Sequence, residues 1–203
     1  MLTHLVRLIW NKKGQNFLLI MEIFFSFLGL FAGFTFVLYP YNNYKLPIGL
    51  DHENVWIVNT AAVTESSSRD SLQLFREALK RELRSMNGIS DVGFSSGNIP
   101  FSGNASNTDI HYGDKETWAN YYTVEDNYAK ILGVKLLQGR WFLPEDRGSK
   151  DRPAVINESL KKELFGDEDP LGKRIGTEAI DKMKVVGVVA DFKHESEDEV
   201  PPP

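Results

Sequence analysis

The residues of this sequence that could do chemistry do not fall into a catalytic pattern. No Gly-x-x-x-x-Gly-Lys-Ser/Thr run is present to hold ATP, and no His-Glu-x-x-His pair is present to hold zinc. The sequence contains no cysteine, which excludes disulfides and thiolate-based metal or redox sites. We therefore predict that the chain is not an enzyme and holds no cofactor or metal of its own.

Two polar clusters nevertheless have the composition of binding sites. Residues 95–104, SSGNIPFSGN, are rich in glycine and hydroxyl groups, but a surface loop uses the same residues without any phosphate. Near the C-terminus four residues could gather a cation, namely His194, Glu195, Glu197 and Asp198. We predict instead that this acidic, proline-rich end is a solvated tail.

One acidic residue, Glu22, interrupts a long apolar run, and an ionisable group in such a run is a functional candidate by default. It lies about one turn inside the inner end of the run, where a carboxylate also reaches headgroups and water at modest cost. Gly29 and Gly33 form a small-x-x-x-small pair that lets a second helix approach closely. Glu22, Gly29 and Gly33 are therefore the candidate residues for packing between transmembrane helices.

The apolar run itself, residues 17–38, is long enough to cross a membrane. As a helix with a rise of about 1.5 Å per residue it would extend about 33 Å, against a hydrocarbon core of about 30 Å. A cleaved secretory signal would be shorter and would end in small residues, whereas this run ends in YPYNNY. We predict an uncleaved transmembrane helix over residues 16–40, with membrane lipid as a partner.

The flanking charges predict the orientation of this helix. Arg7, Lys12 and Lys13 precede the run, and positively charged flanks stay in the cytoplasm. The predicted N-terminus is therefore cytoplasmic, and residues 41–203 are predicted to be extracytoplasmic, in the periplasm of a bacterial inner membrane. Residues 1–15 fit either an amphipathic segment in the inner interface or a frayed terminus.

The charge balance excludes nucleic acid as a partner. The chain has 23 basic and 28 acidic residues. Residues 1–39 contain three of the basic residues and one of the acidic residues, so the outer part has 20 basic and 27 acidic residues. Binding to nucleic acid requires clustered lysine and arginine, and no basic stripe is present in this part.

Beyond a predicted linker, residues 41–53, the pattern of apolar residues predicts an α+β domain over residues 54–203. A helix is indicated over residues 69–86, and a second follows the strand PAVIN, with Asn157 as N-cap and Gly166 as stop. The valine run in KMKVVGVVADF indicates a strand buried on both faces. Further strands are predicted at 55–63, 89–96, 108–112, 118–124 and 134–140, and a short helix at 125–132.

The order and spacing of several segments resemble a known family. The segments are YYTVEDNYAKILGVKLLQGRWF, PAVINESLKKELFG, DPLGKRI and MKVVGVVADFKHES, and they follow a basic flank and one apolar span. In this order they resemble the periplasmic core domain of MacB-like, or FtsX-like, permease subunits of ABC transporters. The resemblance covers nearly the whole chain and is most specific between Tyr121 and Glu195.

The resemblance implies a transport or efflux function with no chemistry in this chain. In such transporters a separate cytoplasmic ABC ATPase subunit binds and hydrolyses ATP, and the permease spans carry its movement to the outer domains. A second permease subunit, identical or different, is the other implied partner. The outer domain is implied to be porter-like with an inserted lobe, which we place at residues 97–122. Permeases of this type have further spans after the outer domain, so we expect a part of a longer permease or a truncated product.

A second class of function fits the same features. A stand-alone membrane-anchored sensor or protein-interaction ectodomain would also have one anchor and an acidic outer domain. The two classes differ in their partners, because only the permease requires an ABC ATPase.

Overall fold

The structure is a computed structural model that describes residues 13–60, 69–146, 148–177 and 183–202. Its contacts divide the chain into two compact units, residues 1–46 and 47–203. The interfacial segment predicted at residues 1–15 lies almost entirely outside the described residues.

The first unit contains one long helix, α1, Lys13–Tyr44. Among the described residues it is the one helix that is long and apolar enough to cross a membrane. It includes Pro40, which removes one helical hydrogen bond, and it continues beyond the predicted end at that residue. The helix continues because residues 41–44 contain no glycine that would end it locally.

The second unit confirms the predicted α+β class. Its elements are α2 (Arg69–Ser85), β1 (Asn107–Tyr112), β2 (Lys115–Asn120), α3 (Tyr128–Ile131), β3 (Leu136–Gly139), a 3-10 turn (Pro144–Asp146), β4 (Arg152–Asn157), α4 (Glu158–Phe165), β5 (Arg174–Ile175) and β6 (Met183–Val189). β1 and β2 form an antiparallel hairpin, and the other four strands form a mixed sheet.

β6 is the central strand of the mixed sheet. It pairs in parallel with β4 from end to end, while β3 and β5 pair antiparallel with its other edge. Val185, Val188 and Val189 are 0%, 1% and 4% exposed, as the valine run predicts for a strand covered on both faces.

β3 and β6 approach so closely that two positions require glycine. A Cβ atom on Gly139 would lie 2.3 Å from the carbonyl oxygen of Val186, and one on Gly187 would lie 2.2 Å from that of Arg140. Gly139 also has a φ of +72°, in the left-handed region that glycine adopts most readily. A larger residue at either position would push the two strands apart.

α4 packs between the mixed sheet and the β1–β2 hairpin. The predicted cap is confirmed, because the Oδ1 atom of Asn157 accepts a hydrogen bond from the Leu160 amide at 3.1 Å. The predicted stop is also confirmed, since Gly166 follows the helix with a φ of +62°. The core residues around α4 are Ile110, Ala119, Ile156, Leu160, Leu164, Phe165, Ile175, Val185 and Val188.

The strand predicted from Val55 is wrong for residues 55–60, which form no strand. Trp56 and Val58 in this segment are 89% and 76% exposed. Strand propensity does not hold a segment extended unless a neighbouring strand pairs with it, and no described strand does so here. Residues 61–63 of the prediction lie outside the described part of the chain.

Two other strand predictions are corrected in extent. The strand predicted at residues 89–96 is reduced to a single bridge between Ser95 and Val124. The strand predicted at residues 118–124 is β2, which begins at Lys115 and ends at Asn120 because its length matches β1 across the hairpin.

α2 lies where the three- and four-residue spacing predicts a helix. Its apolar side is only partly covered, with Phe75 61% exposed. Two ion pairs connect it to the rest of the unit, Lys80 with Glu125 and Arg84 with Asp91.

Part of the predicted linker is hydrogen-bonded to the outer unit. The Asp51 amide donates to the Leu132 carbonyl at 2.8 Å, and the Lys193 amide donates to the Ile48 carbonyl at 2.9 Å. A Cβ atom on Gly49 would lie 2.4 Å from the Asp191 carbonyl oxygen. Residues 48–51 are therefore packed against the outer unit, while the limits of the domains and of the inserted lobe stay predictions.

The cap of α4 gives a stability prediction. Asn157→Ala removes the acceptor for the Leu160 amide, so we expect the free energy of unfolding to fall by about 1 kcal/mol in urea titrations. Asn157→Ser is the matched control, because serine keeps a capping oxygen but loses the amide bond to the Pro202 carbonyl. Equal losses in both variants would contradict a role for the cap.

Candidate functional site

The three residues predicted to pack between membrane helices share one face of α1. At about 100° per residue, Gly29 and Gly33 lie about 20° to either side of Glu22 around the helix axis. All three are exposed, and nothing lies within 4 Å of a Cβ atom added to either glycine. We call Glu22, Gly29 and Gly33 the α1 stripe.

The α1 stripe has the chemistry of a helix-packing surface. Its glycines would let the backbone of another helix come close, and the Glu22 carboxylate would then face protein instead of lipid. In that position a carboxylate is stabilised by a donor on the partner helix. The structure places the three residues on one face, and their role in packing stays a prediction.

The C-terminal residues form the predicted solvated tail only in part, because Glu195, Glu197 and Asp198 are exposed but His194 is buried. Lys193 and His194 are only 0% and 2% exposed. The Glu199 carboxylate accepts hydrogen bonds from the backbone amides of His194 and Glu195, which folds the acidic run back on itself. The prediction is wrong for His194, because the Tyr122 hydroxyl and the Glu199 carboxylate provide its hydrogen-bond partners away from water.

His194 connects this folded end to the segment before α3. Its Nδ1 atom lies 2.7 Å from the Tyr122 hydroxyl, and its ring packs edge-on against the Tyr122 ring. Burial, followed by the neighbouring Tyr128 and Glu199, raises the pKa of Tyr122 above its usual range. Tyr122 therefore stays protonated and can act as a hydrogen-bond donor at neutral pH.

The glycine- and serine-rich loop at residues 95–104 is held by its own contacts. The buried Asn98 donates through Nδ2 to the carbonyl oxygens of Ser106 and Tyr121, at 3.2 and 2.6 Å. The Phe101 amide donates to the His194 carbonyl at 2.6 Å. These bonds join the loop to the hairpin and to the folded C-terminal end.

The residues proposed as cation ligands are not brought together. No group of three or more histidine, aspartate or glutamate side chains suitable for a metal occurs in the part of the chain that the structure describes. Sequence reasoning also missed the Tyr122–His194 contact. The signal available for it was Phe192, an aromatic residue next to the charged run, whose ring lies 5.7 Å from that of Tyr122.

The loop after β3 is held by an ion pair. Arg140 donates two hydrogen bonds of 2.7 Å to the two carboxylate oxygens of Asp146, and the Leu143 amide donates to the same carboxylate at 2.9 Å. The Arg140 hydrogen bonds are the main reason why the pKa of Asp146 is lowered to about 2. This arrangement holds the aromatic pair Trp141 and Phe142 in place between its ends.

The comparisons with known proteins agree with this arrangement of one membrane-length helix and an α+β domain. Residues 25–200 match the family described as the MacB-like periplasmic core domain. The chain belongs to this family. The match begins within α1 and includes every strand of the MacB-like domain described above.

Sequence relatives lie among ABC transporter proteins. The chain is 38% identical over 77 residues to the macrolide export ATP-binding/permease protein MacB of Aggregatibacter actinomycetemcomitans, which covers 37% of this chain and 12% of that protein. It is 31% identical over 83 residues to the uncharacterized ABC transporter permease YvrN of Bacillus subtilis, covering 41% of this chain and 19% of YvrN. Each match therefore spans less than a fifth of the relative's length.

Two solved structures of outer regions of ABC-type transporters are similar to part of this chain. The periplasmic region of MacB from Actinobacillus actinomycetemcomitans is 27% identical, covers 59% of this chain and 52% of its own, and has a TM-score of 0.45. The extracellular domain of the noncanonic ABC-type transporter YknZ from Gram-positive bacteria is 22% identical, covers 59% of each chain, and has a TM-score of 0.47.

The Asp146 ion pair of the MacB-like domain gives a pH prediction. Because the carboxyl pKa is lower in the folded state, its stabilisation is present above the unfolded value of about 3.9 and is lost as the pH falls towards 2. We expect Asp146→Asn to lower the free energy of unfolding by about 1 kcal/mol at pH 7, after screening by solvent, and by much less near pH 2.

Denaturant titrations at pH 7, 4 and 2.5 measure this difference. Asp167→Asn is the control, because Asp167 is exposed and has no ion pair among the described residues. A loss that is the same at every pH would contradict an electrostatic contribution from Asp146.

Proposed function

We propose that the chain acts as the N-terminal part of an ABC transporter permease. Its outer domain takes part in substrate handling or mechanical relay, driven by a partner ATPase. The observation that carries the proposal is that one chain joins a membrane-length helix bearing the α1 stripe to a MacB-like periplasmic core domain. In this proposal the N-terminus is cytoplasmic and residues 41–203 lie in the periplasm.

The proposed partners follow from the division of labour in such a transporter. ATP is bound and hydrolysed by a separate cytoplasmic ATPase subunit, since this chain carries no nucleotide-binding motif. The α1 stripe packs against a span of the same permease or of a second permease subunit. The outer domain itself performs no covalent chemistry.

The hydrogen bonds of residues 48–51 support a relay. A displacement of the chain after α1 acts first on Ile48 and Asp51, whose backbone bonds connect to Lys193 and Leu132. Between these two bonds the backbone of Gly49 packs closely against the backbone of Asp191. A displacement that reached residues 48–51 would therefore be passed on to the segments before β3 and after β6.

A second candidate function is a stand-alone membrane-anchored sensor or protein-interaction ectodomain. The observation that favours it is the exposed apolar surface at α2, where Phe75 and Met86, which directly follows the helix, are at least half exposed. Purification from native membranes separates the two functions. Recovery of an ABC ATPase with the chain supports the permease, and recovery of other proteins without an ATPase supports the ectodomain.

The α1 stripe gives a prediction on assembly. We expect the double variant Gly29→Leu and Gly33→Leu to lose at least half of the partner spans and ATPase that co-purify with the chain. Leucine fits α1 itself, because nothing lies within 4 Å of either added Cβ, so a loss reports contacts with another helix. Quantitative mass spectrometry of the purified complex measures the loss.

Thr35→Leu is the matched control for this experiment. Thr35 lies about 140° from Glu22 around the helix, away from the stripe, so this variant tests whether a leucine introduced elsewhere on α1 also reduces recovery. Unchanged recovery in the glycine double variant, or an equal loss in the Thr35 variant, would contradict packing through the stripe.

The lack of native cysteine makes the orientation directly testable. In intact spheroplasts we expect a membrane-impermeant maleimide to label Asn104→Cys, on an exposed loop, and to label Gly14→Cys only after the membrane is permeabilised. Labelling of Gly14→Cys in intact spheroplasts would reverse the proposed orientation.

A further inference from the structure

The outer unit contains a cavity of about 470 Å³ that none of the contacts above explains. It runs along β4 and is bordered on the other side by the segment before α3 and by the aromatic pair after β3. Its wall is mainly apolar, with Tyr122, Tyr128, Trp141, Phe142 and Phe192 supplying aromatic rings. This volume and lining are typical of sites for small organic ligands.

Two rings of the cavity wall carry hydrogen-bond donors without an acceptor. The Tyr128 hydroxyl and the Trp141 Nε1 atom are both buried, and neither has a hydrogen-bond partner among the described residues. Burial raises the pKa of Tyr128 to about 12, so its hydroxyl keeps its proton at neutral pH. A buried donor that lacks an acceptor costs free energy, and a ligand oxygen would remove that cost.

The charges at the cavity do not favour an anionic ligand. Two carboxylates, Asp126 and Asp146, and one guanidinium, Arg152, line it, and Asp146 is already paired with Arg140. The lining therefore provides no excess of positive charge to offset the free-energy cost of moving a carboxylate or phosphate out of water. The polar groups of the lining that lack a hydrogen-bond partner are donors. A neutral acceptor can pair with a donor without the cost of moving a charge out of water.

We propose that this cavity is a binding site for a neutral, largely apolar small molecule that carries a carbonyl or ether oxygen. The apolar body packs against the aromatic wall and β4, and the oxygen accepts a hydrogen bond from Tyr128 or Trp141. The inference stands on the cavity alone and does not require the transport function proposed above.

Photolabelling of the full chain in amphipol locates the site. The probe is 4-bromobenzophenone, a neutral ketone that forms a covalent bond with nearby C–H groups under near-ultraviolet light and carries a bromine isotope signature for mass spectrometry. Apolar α1 will take up background label. Within residues 47–203 we expect label to concentrate on the segments around Tyr122, Tyr128 and Trp141.

Thr123→Trp is the blocking variant for this experiment, because Thr123 is an exposed residue of the cavity lining where an indole can cover the opening. In a variant with an unchanged circular dichroism spectrum we expect at least a fivefold loss of label in these segments. Label spread evenly over residues 47–203, or label unaffected by Thr123→Trp, would overturn the proposal.

Competition against the photolabel tests the class of ligand. Benzophenone and diphenylmethane have nearly the same shape and differ in the carbonyl oxygen, so we expect benzophenone to compete at about a five- to tenfold lower concentration. In the double variant Tyr128→Phe and Trp141→Phe this difference disappears, whereas Tyr112→Phe, outside the cavity, keeps it. Tyr128→Phe removes only the unpartnered hydroxyl, whereas Trp141→Phe removes the N–H together with part of the indole ring, so the result is read as the ratio of the two competitors within each variant.

Two results would overturn the ligand class. One is equal competition by benzophenone and diphenylmethane in the wild-type chain, which would mean that the donors play no part. The other is stronger competition by the anion 4-biphenylcarboxylate than by benzophenone, which would mean that the site selects negative charge.

Discussion

The outer domain depends on the close approach of two backbones, β3 and β6, in the centre of the mixed sheet. At this contact the carbonyl oxygens of Val186 and Arg140 occupy the positions that side chains would take at Gly139 and Gly187. β6 can then pair along both edges at once, with β4 on one side and β3 and β5 on the other. A strand paired on both edges and covered on both faces is the most constrained element available to a domain of this size.

The other elements take their positions from β6. β4 is parallel to it, so the chain must leave β4 by a helix, and Asn157 starts α4 immediately at the strand end. α4 then covers one face of the sheet and supports the β1–β2 hairpin on its other side. Beyond the opposite end of β3, the Arg140–Asp146 pair fixes the loop that carries Trp141 and Phe142. The cavity along β4 is therefore bounded by a strand of the mixed sheet and by a loop that an ion pair holds.

The sequence was most informative where a local signal and the final packing coincide. A valine run, an Asn cap and a Gly stop each act within a few residues, so they predicted β6, β4 and α4 correctly. A strand was predicted at Val55, and none forms there. A strand needs a partner strand, and the sequence of one segment does not show whether a partner is available. The burial of His194 was not predicted for a related reason. It depends on contacts with Tyr122 and Phe101, which lie more than 70 residues earlier in the sequence.

The candidate sites differ in how much of each could be read from the sequence. The α1 stripe is a matter of helical spacing, so the sequence alone assigns Glu22, Gly29 and Gly33 to one face of the helix. The cavity depends on residues from β4, the segment before α3 and the loop after β3, and on two donors whose lack of acceptors is a property of the packed domain alone. In the proposed packing role the stripe requires another helix, whereas the cavity lies within one folded unit. A defect in assembly through the membrane helix would therefore leave the cavity intact, and loss of the cavity would leave the packing surface of α1 unchanged.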